Sequence, residues 1–259
     1  GLKDPSDKVR VAALKAAAAM RIASAASIAA AMAADEAQPL DVRAEAVVAD
    51  ARLHGRDAVD VTLQRLGHPE RRIQVAAMQA LAFIDAPEAR AKLVELLSHP
   101  EAATRAEAAR SVGEGRIAEA IPVLLKAAAT DGDGVVRAAC EQSLLTFDLP
   151  AVQKPLLEAL EESNAAAVGV ALRVLAAKHT PEVCDAVADI VGKSPDAFMA
   201  AIPYNDLLTL CKFGPDRFAG FFAACIANTK ADDHLRINAT DCLGLCVKSD
   251  LFTLLRKAA

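Results

Sequence analysis

The stretch Asp4-Pro-Ser-Asp-Lys-Val-Arg10 is the first of several related stretches that recur along the chain at a nearly constant period. The later copies are Leu40-Asp-Val-Arg43, Glu70-Arg-Arg-Ile-Gln74, Ala102-Ala-Thr-Arg105, Gly132-Asp-Gly-Val-Val-Arg137, Ala166-Ala-Val-Gly169 and Asp232-Asp-His-Leu-Arg236. The last residue of each copy, here called the anchor, follows the previous anchor by 33, 31, 31, 32, 32 and 67 residues. The last interval spans two periods, so one degenerate copy lies between Gly169 and Arg236. Such a period indicates a repeat architecture.

Three columns of residues in this register predict one buried helical face. The position before the anchor holds Val9, Val42, Ile73, Thr104, Val136, Val168 and Leu235. The third position after it holds Ala13, Ala46, Ala77, Ala108, Cys140, Leu172 and Ala239, and the seventh holds Ala17, Asp50, Leu81, Val112, Leu144, Ala176 and Leu243. Positions four residues apart share a face of a helix. The small residues of the middle column predict helices that approach each other closely.

A second set of helices is predicted between these, at residues 58–66, 89–97, 118–128, 152–160 and 183–191. Aromatic residues make up only 3% of the chain and Trp is absent, so the apolar content is largely aliphatic and rich in Ala. Ala is the best helix former. Strand-like runs bounded by turn residues are absent from the sequence. Each period is therefore predicted to be helix, turn, helix, turn, in an all-α protein whose helix pairs bury their apolar faces by stacking.

The pattern resembles the HEAT-repeat family, in particular the short repeats of the phycobilisome (bilin) lyases. The matching features are an Asp six residues before the anchor (Asp4, Asp131), the Val-Arg pair and the Ala three residues later. The resemblance implies an α-solenoid, a right-handed superhelix of antiparallel helix pairs. It also implies a structural role for the repeat anchors Arg10, Arg43, Arg105, Arg137 and Arg236.

We expect one solenoid of about seven repeats over residues 1–259, regular over 1–193 and divergent, richer in Phe and Cys, over 194–259. Pro203 is predicted to end or kink a helix in the degenerate copy. In HEAT repeats the Val-Arg element opens the second helix of a pair. The resemblance therefore implies an array that is entered and left in mid-repeat, with residues 251–255 as a first helix lacking its partner. Such an array is expected to be either a segment of a longer one or a chain with unusual caps.

Charge and residue patterns argue against several classes of function. The net charge of −5 disfavours nucleic acid as a partner, because phosphate binding needs a positive surface. Runs of about 18 apolar residues, which a membrane span requires, are absent from the sequence. The two His-Pro-Glu turns, at His68 and His99, are interpreted as helix starts rather than metal sites. The six Cys are interpreted as core residues, which favours a reduced, cytoplasmic setting. No catalytic, cofactor or metal site can be assembled from the sequence.

Two groups of residues are candidates for binding a protein partner. If the second helices line the concave surface, positions two and five after the anchor are expected to be exposed there, which selects Glu45, Gln79, Glu107, Arg110 and Gln142. Phe218, Phe221 and Phe222 share a helix face and could be interface anchors, or simply a thicker core.

The predicted function is therefore a non-enzymatic protein-interaction scaffold without a cofactor. One alternative, implied by the family resemblance, is a bilin-lyase-like subunit that binds or attaches a chromophore. The other alternative is a structural spacer within a larger protein.

Overall fold

The computed structural model describes residues 1–246, which fold into helices without any strand. The helices are α1 (Asp7–Ala19), α2 (Ala26–Ala34), α3 (Leu40–His54), α4 (Val59–Arg65), α5 (Arg71–Leu81), α6 (Pro87–Leu96), α7 (Ala102–Gly115), α8 (Ile121–Thr130), α9 (Gly134–Thr146), α10 (Leu149–Leu160), α11 (Ala165–Ala177), α12 (Pro181–Lys193), α13 (Pro195–Ala201), α14 (Ala219–Ala227) and α15 (Asp233–Gly244). Short 3₁₀ helices precede several of them, and a longer one spans Tyr204–Phe213. The predicted helix at 251–255 lies outside the described residues.

The chain divides into two compact units. Unit 1 comprises Gly1–Leu124 and Asp133–Thr146, and unit 2 comprises Leu125–Gly132 and the chain from Phe147 onward. In unit 1 the helices that carry the anchors pack in sequence, α1 on α3, α3 on α5, α5 on α7 and α7 on α9. This stacking of second helices is what the repeat predicts. The grouping of residues 1–193 and 194–259 into one array stays a prediction.

The three predicted core columns are buried almost throughout. At the position before the anchor, every residue from Val42 to Leu235 is buried, whereas Val9 is 41% exposed. The small-residue column is buried from Ala46 to Ala239, and the seventh-position column is buried in every copy. The sequence register therefore identified the helix face that forms the core.

The anchor side chain fixes the turn that precedes its own helix. The Arg10 guanidinium donates to the Asp4 carbonyl at 2.7 Å, and the Arg105 guanidinium donates to the His99 carbonyl at 2.9 Å. Gln74, which replaces Arg in its copy, donates to the His68 carbonyl at 2.7 Å. In each case the acceptor lies six residues upstream. Helical side chains lean toward the N-terminus, so a long donor in the first turn reaches the preceding carbonyls.

The same turns explain the residues that begin them. Asp4 Oδ1 accepts a hydrogen bond from the Ser6 amide at 2.9 Å. The Nδ1 atoms of His68 and His99 accept from the amides of Glu70 and Glu101, at 3.0 and 3.1 Å. In the α9 copy Asp133 Oδ1 accepts from the Val135 amide at 2.7 Å. The His-Pro-Glu turns are thus structural, as interpreted from the sequence.

Two anchors behave differently from this scheme. Arg236 donates through Nε to the Ile226 carbonyl at 3.2 Å, ten residues upstream, and so ties α15 to the end of α14. Arg43 lies 3.5 Å from His68 Nε2, in the turn before α5. The turn before α3 ends in Pro39, and it is closed instead by Asp35, whose Oδ1 accepts from the Ala37 amide at 3.0 Å.

In unit 2 the degenerate copy is built on the 3₁₀ helix Tyr204–Phe213. α13 ends at Ala201, two residues before Pro203, as predicted. The 3₁₀ helix then packs against both α11 and α15, the position that a second helix would take. Its Asp206 carboxylate accepts from Arg173 at 2.8 and 2.9 Å. A Cβ on Gly169 would lie 2.4 Å from this carboxylate, which explains why the anchor of the α11 copy is Gly.

Candidate interaction face

Charged and polar side chains from four second helices of unit 1 lie along one face, and we call them the charged row. Its members are Lys15 on α1, Glu45 and Arg52 on α3, Gln79 on α5, and Glu107, Arg110 and Glu114 on α7. They occupy the second, fifth and ninth positions after their anchors. Spacings of three and four residues place these positions on one face of each helix.

The first half of the charged row joins α1 to α3. Lys15 Nζ lies 3.6 Å from Glu45 Oε2. Farther along α3, the Arg52 guanidinium lies over the ring of Phe83, 3.6 Å from its centroid, in a cation–π contact. The positive charge of Arg52 acts on both Glu45 and Glu114, so it links the α3 and α7 parts of the row.

The second half joins α5 to α7 through one carboxylate. Gln79 Nε2 donates to Glu107 Oε1 at 2.8 Å, and Arg110 donates to Glu107 Oε2 at 2.9 Å. Both Glu107 oxygens are therefore held, and its side chain is only 12% exposed. Glu107 thus joins α5 to α7 within the charged row.

Two carboxylates of the row are incompletely compensated. Burial raises the pKa of Glu45, although the charges of Lys15, Arg52 and Arg72 oppose the rise. Burial, and next the charge of Glu107, raise the pKa of Glu114. Both groups would gain from an additional cation placed beside them.

Four of the predicted binding residues, Glu45, Gln79, Glu107 and Arg110, come together in this row. Gln142 is exposed on α9, and within residues 1–246 it takes no part in the contacts above. The expected exposure of the second-position column is wrong for Ala76, Ala139 and Ala171, which are buried. Val174, in the fifth-position column, is also buried. Neighbouring helices cover these small or apolar side chains, and only the longer polar ones reach the surface.

The structure corrects the interface interpretation of the three Phe residues. Phe218, Phe221 and Phe222 are 1%, 7% and 0% exposed. Their rings contact one another, with centroids 6.2 Å apart for both Phe218–Phe222 and Phe221–Phe222, and Phe221 packs edge-on against Phe198. They form the core of unit 2 around α14, so a partner cannot contact them on the folded surface.

Sequence reasoning missed Arg52, Phe83 and Glu114. All three stand nine residues after an anchor, which continues the face of the second and fifth positions by one turn. Extending the repeat columns to this position would have selected them. The repeat register therefore already held the positions of these three residues, and the aromatic residue Phe83 in the ninth-position column was a signal to examine that column.

Neither a metal site nor a membrane-spanning helix is evident in residues 1–246. Within that range no group of three or more His, Cys, Asp or Glu side chains is arranged to hold a metal ion. Across the same residues, none of the helices has both the length and the apolar character of a membrane span. The cytoplasmic setting expected from the Cys content stays a prediction.

Stacked helix pairs joined by short turns place the chain among the α-solenoids. Residues 59–145 match the model of the HEAT repeats. No curated protein matches it. Among solved structures, it is similar to a chain of the complex of CpcE and CpcF of phycocyanin lyase from Nostoc sp. PCC7120, with 18% identity over 95% of this chain and 92% of that chain and a TM-score of 0.44. It is also similar to an engineered protein, with 18% identity over 100% of this chain and 94% of that chain and a TM-score of 0.37.

Proposed function

We propose that the chain is a non-enzymatic protein-interaction scaffold and that the charged row is its binding face. The proposal rests on one observation: the charged and polar side chains of α1, α3, α5 and α7 lie along the same face. Long charged side chains normally lose conformational entropy when a partner immobilises them. At Glu107 part of that loss has already occurred in folding, because its two oxygens accept hydrogen bonds from Gln79 and Arg110.

The charges of the row indicate the kind of partner. Three cations (Lys15, Arg52, Arg110) and three anions (Glu45, Glu107, Glu114) alternate along it, and a polyanion such as nucleic acid would meet repulsion at each carboxylate. A protein surface can offer both signs in a complementary arrangement. A partner Lys or Arg placed beside Glu114 would lower the raised pKa of that carboxyl group and so contribute favourably to binding.

Charge reversal within the row tests the proposal. The double variant Arg110→Glu/Glu114→Lys keeps the net charge, and we expect it to lose the proteins that wild type retains in affinity purification from the native source, identified by mass spectrometry. The matched control is Arg56→Glu/Glu88→Lys, which makes the same changes at exposed positions outside the row. Equal recovery of partners by both variants would place the binding face elsewhere.

The alternatives give different outcomes in simple assays. A structural spacer would retain no partner even as wild type. A chromophore-binding subunit would change the absorbance of free bilin on mixing, and a lyase would transfer the bilin to a Cys of an acceptor protein. A change in bilin absorbance that is unaffected by the charge reversal would favour the chromophore alternative over the scaffold.

A further inference from the structure

Adjacent second helices in unit 1 contact each other through a constant pair of faces. Ser143, six residues after the anchor of α9, donates through Oγ to the carbonyl of Ala109, four residues after the anchor of α7, at 2.5 Å. A Cβ on Gly113, at the eighth position of α7, would lie 2.8 Å from the same Oγ. A Cβ on Gly115, at the tenth position of α7, would lie 2.5 Å from the carbonyl oxygen of Ala82, at the eighth position of α5. We call the sixth and tenth positions the rear face, which contacts the preceding second helix, and the fourth and eighth positions the front face, which contacts the following one.

The rear face of α1 is exposed, unlike that of the other second helices. In the other copies the sixth position is buried and holds Ala49, Ala80, Ser111, Ser143, Leu175 and Cys242. In α1 this position is Ala16, which is exposed, and Met20 at the tenth position is 65% exposed. Val9, at the position before the anchor that is buried in every other copy, is 41% exposed. Helix α1 therefore presents to solvent the kind of face that elsewhere contacts a second helix.

The front face is exposed on α15, the last helix that the structure describes. Its fourth and eighth positions, Thr240 and Gly244, are both exposed. A Cβ on Gly244 would meet no atom within 4 Å. Two large apolar side chains flank this face, because Ile237 at the first position is 57% exposed and Leu245 at the ninth is 53% exposed. Small residues with apolar neighbours leave room for a closely packed helix.

The charges of the two helices have opposite signs. Helix α1 contains three cations and one anion, whereas α15 with its N-cap Asp232 contains three anions and one cation. Lys8 and Lys15 of α1 are exposed, as are Asp233 and Asp241 of α15. Complementary charges favour contact between α1 and α15, and like charges disfavour contact between two copies of α1.

We propose that two copies of this chain dock head to tail, with the rear face of α1 in one copy on the front face of α15 in the other. The contact would repeat the arrangement of α7 and α9, with Ala16 over Thr240 and Met20 in the open space beside Gly244. Each copy offers both faces, so the interface is heterologous and further copies can add to it. Self-association of this kind does not depend on the protein-binding role of the charged row.

Analytical ultracentrifugation of the full chain tests the proposal. Wild type is expected to form dimers and larger oligomers as its concentration rises. A bulky side chain does not fit a close helix contact, so Ala16→Arg on the rear face and Thr240→Arg on the front face should each weaken association by about tenfold or more. Ala34→Arg, at an exposed position of α2 outside both faces, is the control and should associate like wild type.

Mixing the two variants distinguishes head-to-tail docking from a symmetric dimer. Ala16→Arg keeps an intact front face and Thr240→Arg keeps an intact rear face, so an equimolar mixture should form a 1:1 dimer and no larger species. Circular dichroism establishes that both variants are folded, and if either is not, Met20→Arg or Ile237→Arg blocks the same face at another exposed position. A wild type that stays monomeric, association that either variant alone retains in full, or a mixture that stays monomeric would each overturn the proposal.

Discussion

At the scale of single residues, the exceptions to the repeat pattern carry the most information. Asp50 occupies the seventh-position column, where the other copies place an apolar residue. It is 3% exposed, and its carboxylate accepts from His54 Nδ1 at 2.7 Å and from the Arg65 guanidinium at 3.3 Å. A buried carboxylate persists only when it is paired and hydrogen-bonded. The sequence marks Asp50 as irregular, but its partners are known only from the structure, since Arg65 comes from a different helix.

Replacing Asp50 by Asn should destabilise the protein. The change keeps the volume and removes the charge that balances Arg65, so we expect the free energy of unfolding to fall by about 1–3 kcal/mol. Urea denaturation followed by circular dichroism measures it. Asp57→Asn, at an exposed position nearby, is the control and should change stability by less than about 0.5 kcal/mol. Similar losses for both variants would show that the buried pair contributes little.

At the scale of helices, the sequence predicted most of the fold because one register repeats. It placed the second helices, the core columns, and the end of the helix before Pro203. It did not predict that a 3₁₀ helix would stand in for the missing second helix, because the interaction that holds it, between Asp206 and Arg173, has no counterpart in the other copies. For the charged row, it selected the polar residues at the second and fifth positions and overestimated the exposure of Ala at these positions.

The close approach of helices is clearest between α7 and α9. A Cβ on Gly113 would lie 2.8 Å from Ser143 Oγ and 3.0 Å from Ser143 Cα. Ser143 Oγ also donates to the Ala109 carbonyl of α7 at 2.5 Å. The repeat register predicted small residues at helix contacts, and this pair extends that rule beyond the third-position column.

Gly113→Ala should therefore force the two helices apart. We expect a loss of about 1–3 kcal/mol in the free energy of unfolding, typical of overpacking, despite the better helix propensity of Ala. Gly134→Ala on α9 is the control, because its Cβ would make only an ordinary contact at 3.5 Å, and it should be neutral or stabilising. Adding Ser143→Gly to Gly113→Ala should recover part of the loss. A purely additive double variant in chemical denaturation would contradict this packing.

At the scale of the whole molecule, the charged row couples stability to pH. Glu114 has a raised pKa in the folded protein, so between its unfolded and folded pKa values the folded state binds more protons than the unfolded state. Its contribution to stability is therefore lost as the pH rises through that window. Above that window the raised pKa means that the ionised group is less favourable in the folded than in the unfolded protein.

Glu114→Gln should raise the melting temperature at pH 7. The advantage should shrink as the pH falls and vanish below both the folded and the unfolded pKa of Glu114, where the group is protonated in both states. The control is Glu182→Gln in unit 2, since a hydrogen bond from Thr180 lowers the pKa of Glu182. That variant should lower the melting temperature at pH 7 and lose its effect in acid. Melting curves between pH 4 and pH 8 distinguish the two, and the same sign for both would refute the assignment.

The turns suggest how an array of this kind changes length. Where Arg10, Gln74 or Arg105 closes its turn, both hydrogen-bonding partners lie within six residues of the same copy. A duplicated or deleted period would therefore include both the donor and the acceptor of its turn-closing hydrogen bond. Neighbouring copies would not need matching changes. Gain and loss of whole periods is therefore less disruptive to such a chain than an insertion of a few residues, which would separate a donor from its carbonyl. Length variation among related arrays should accordingly occur in steps of one period.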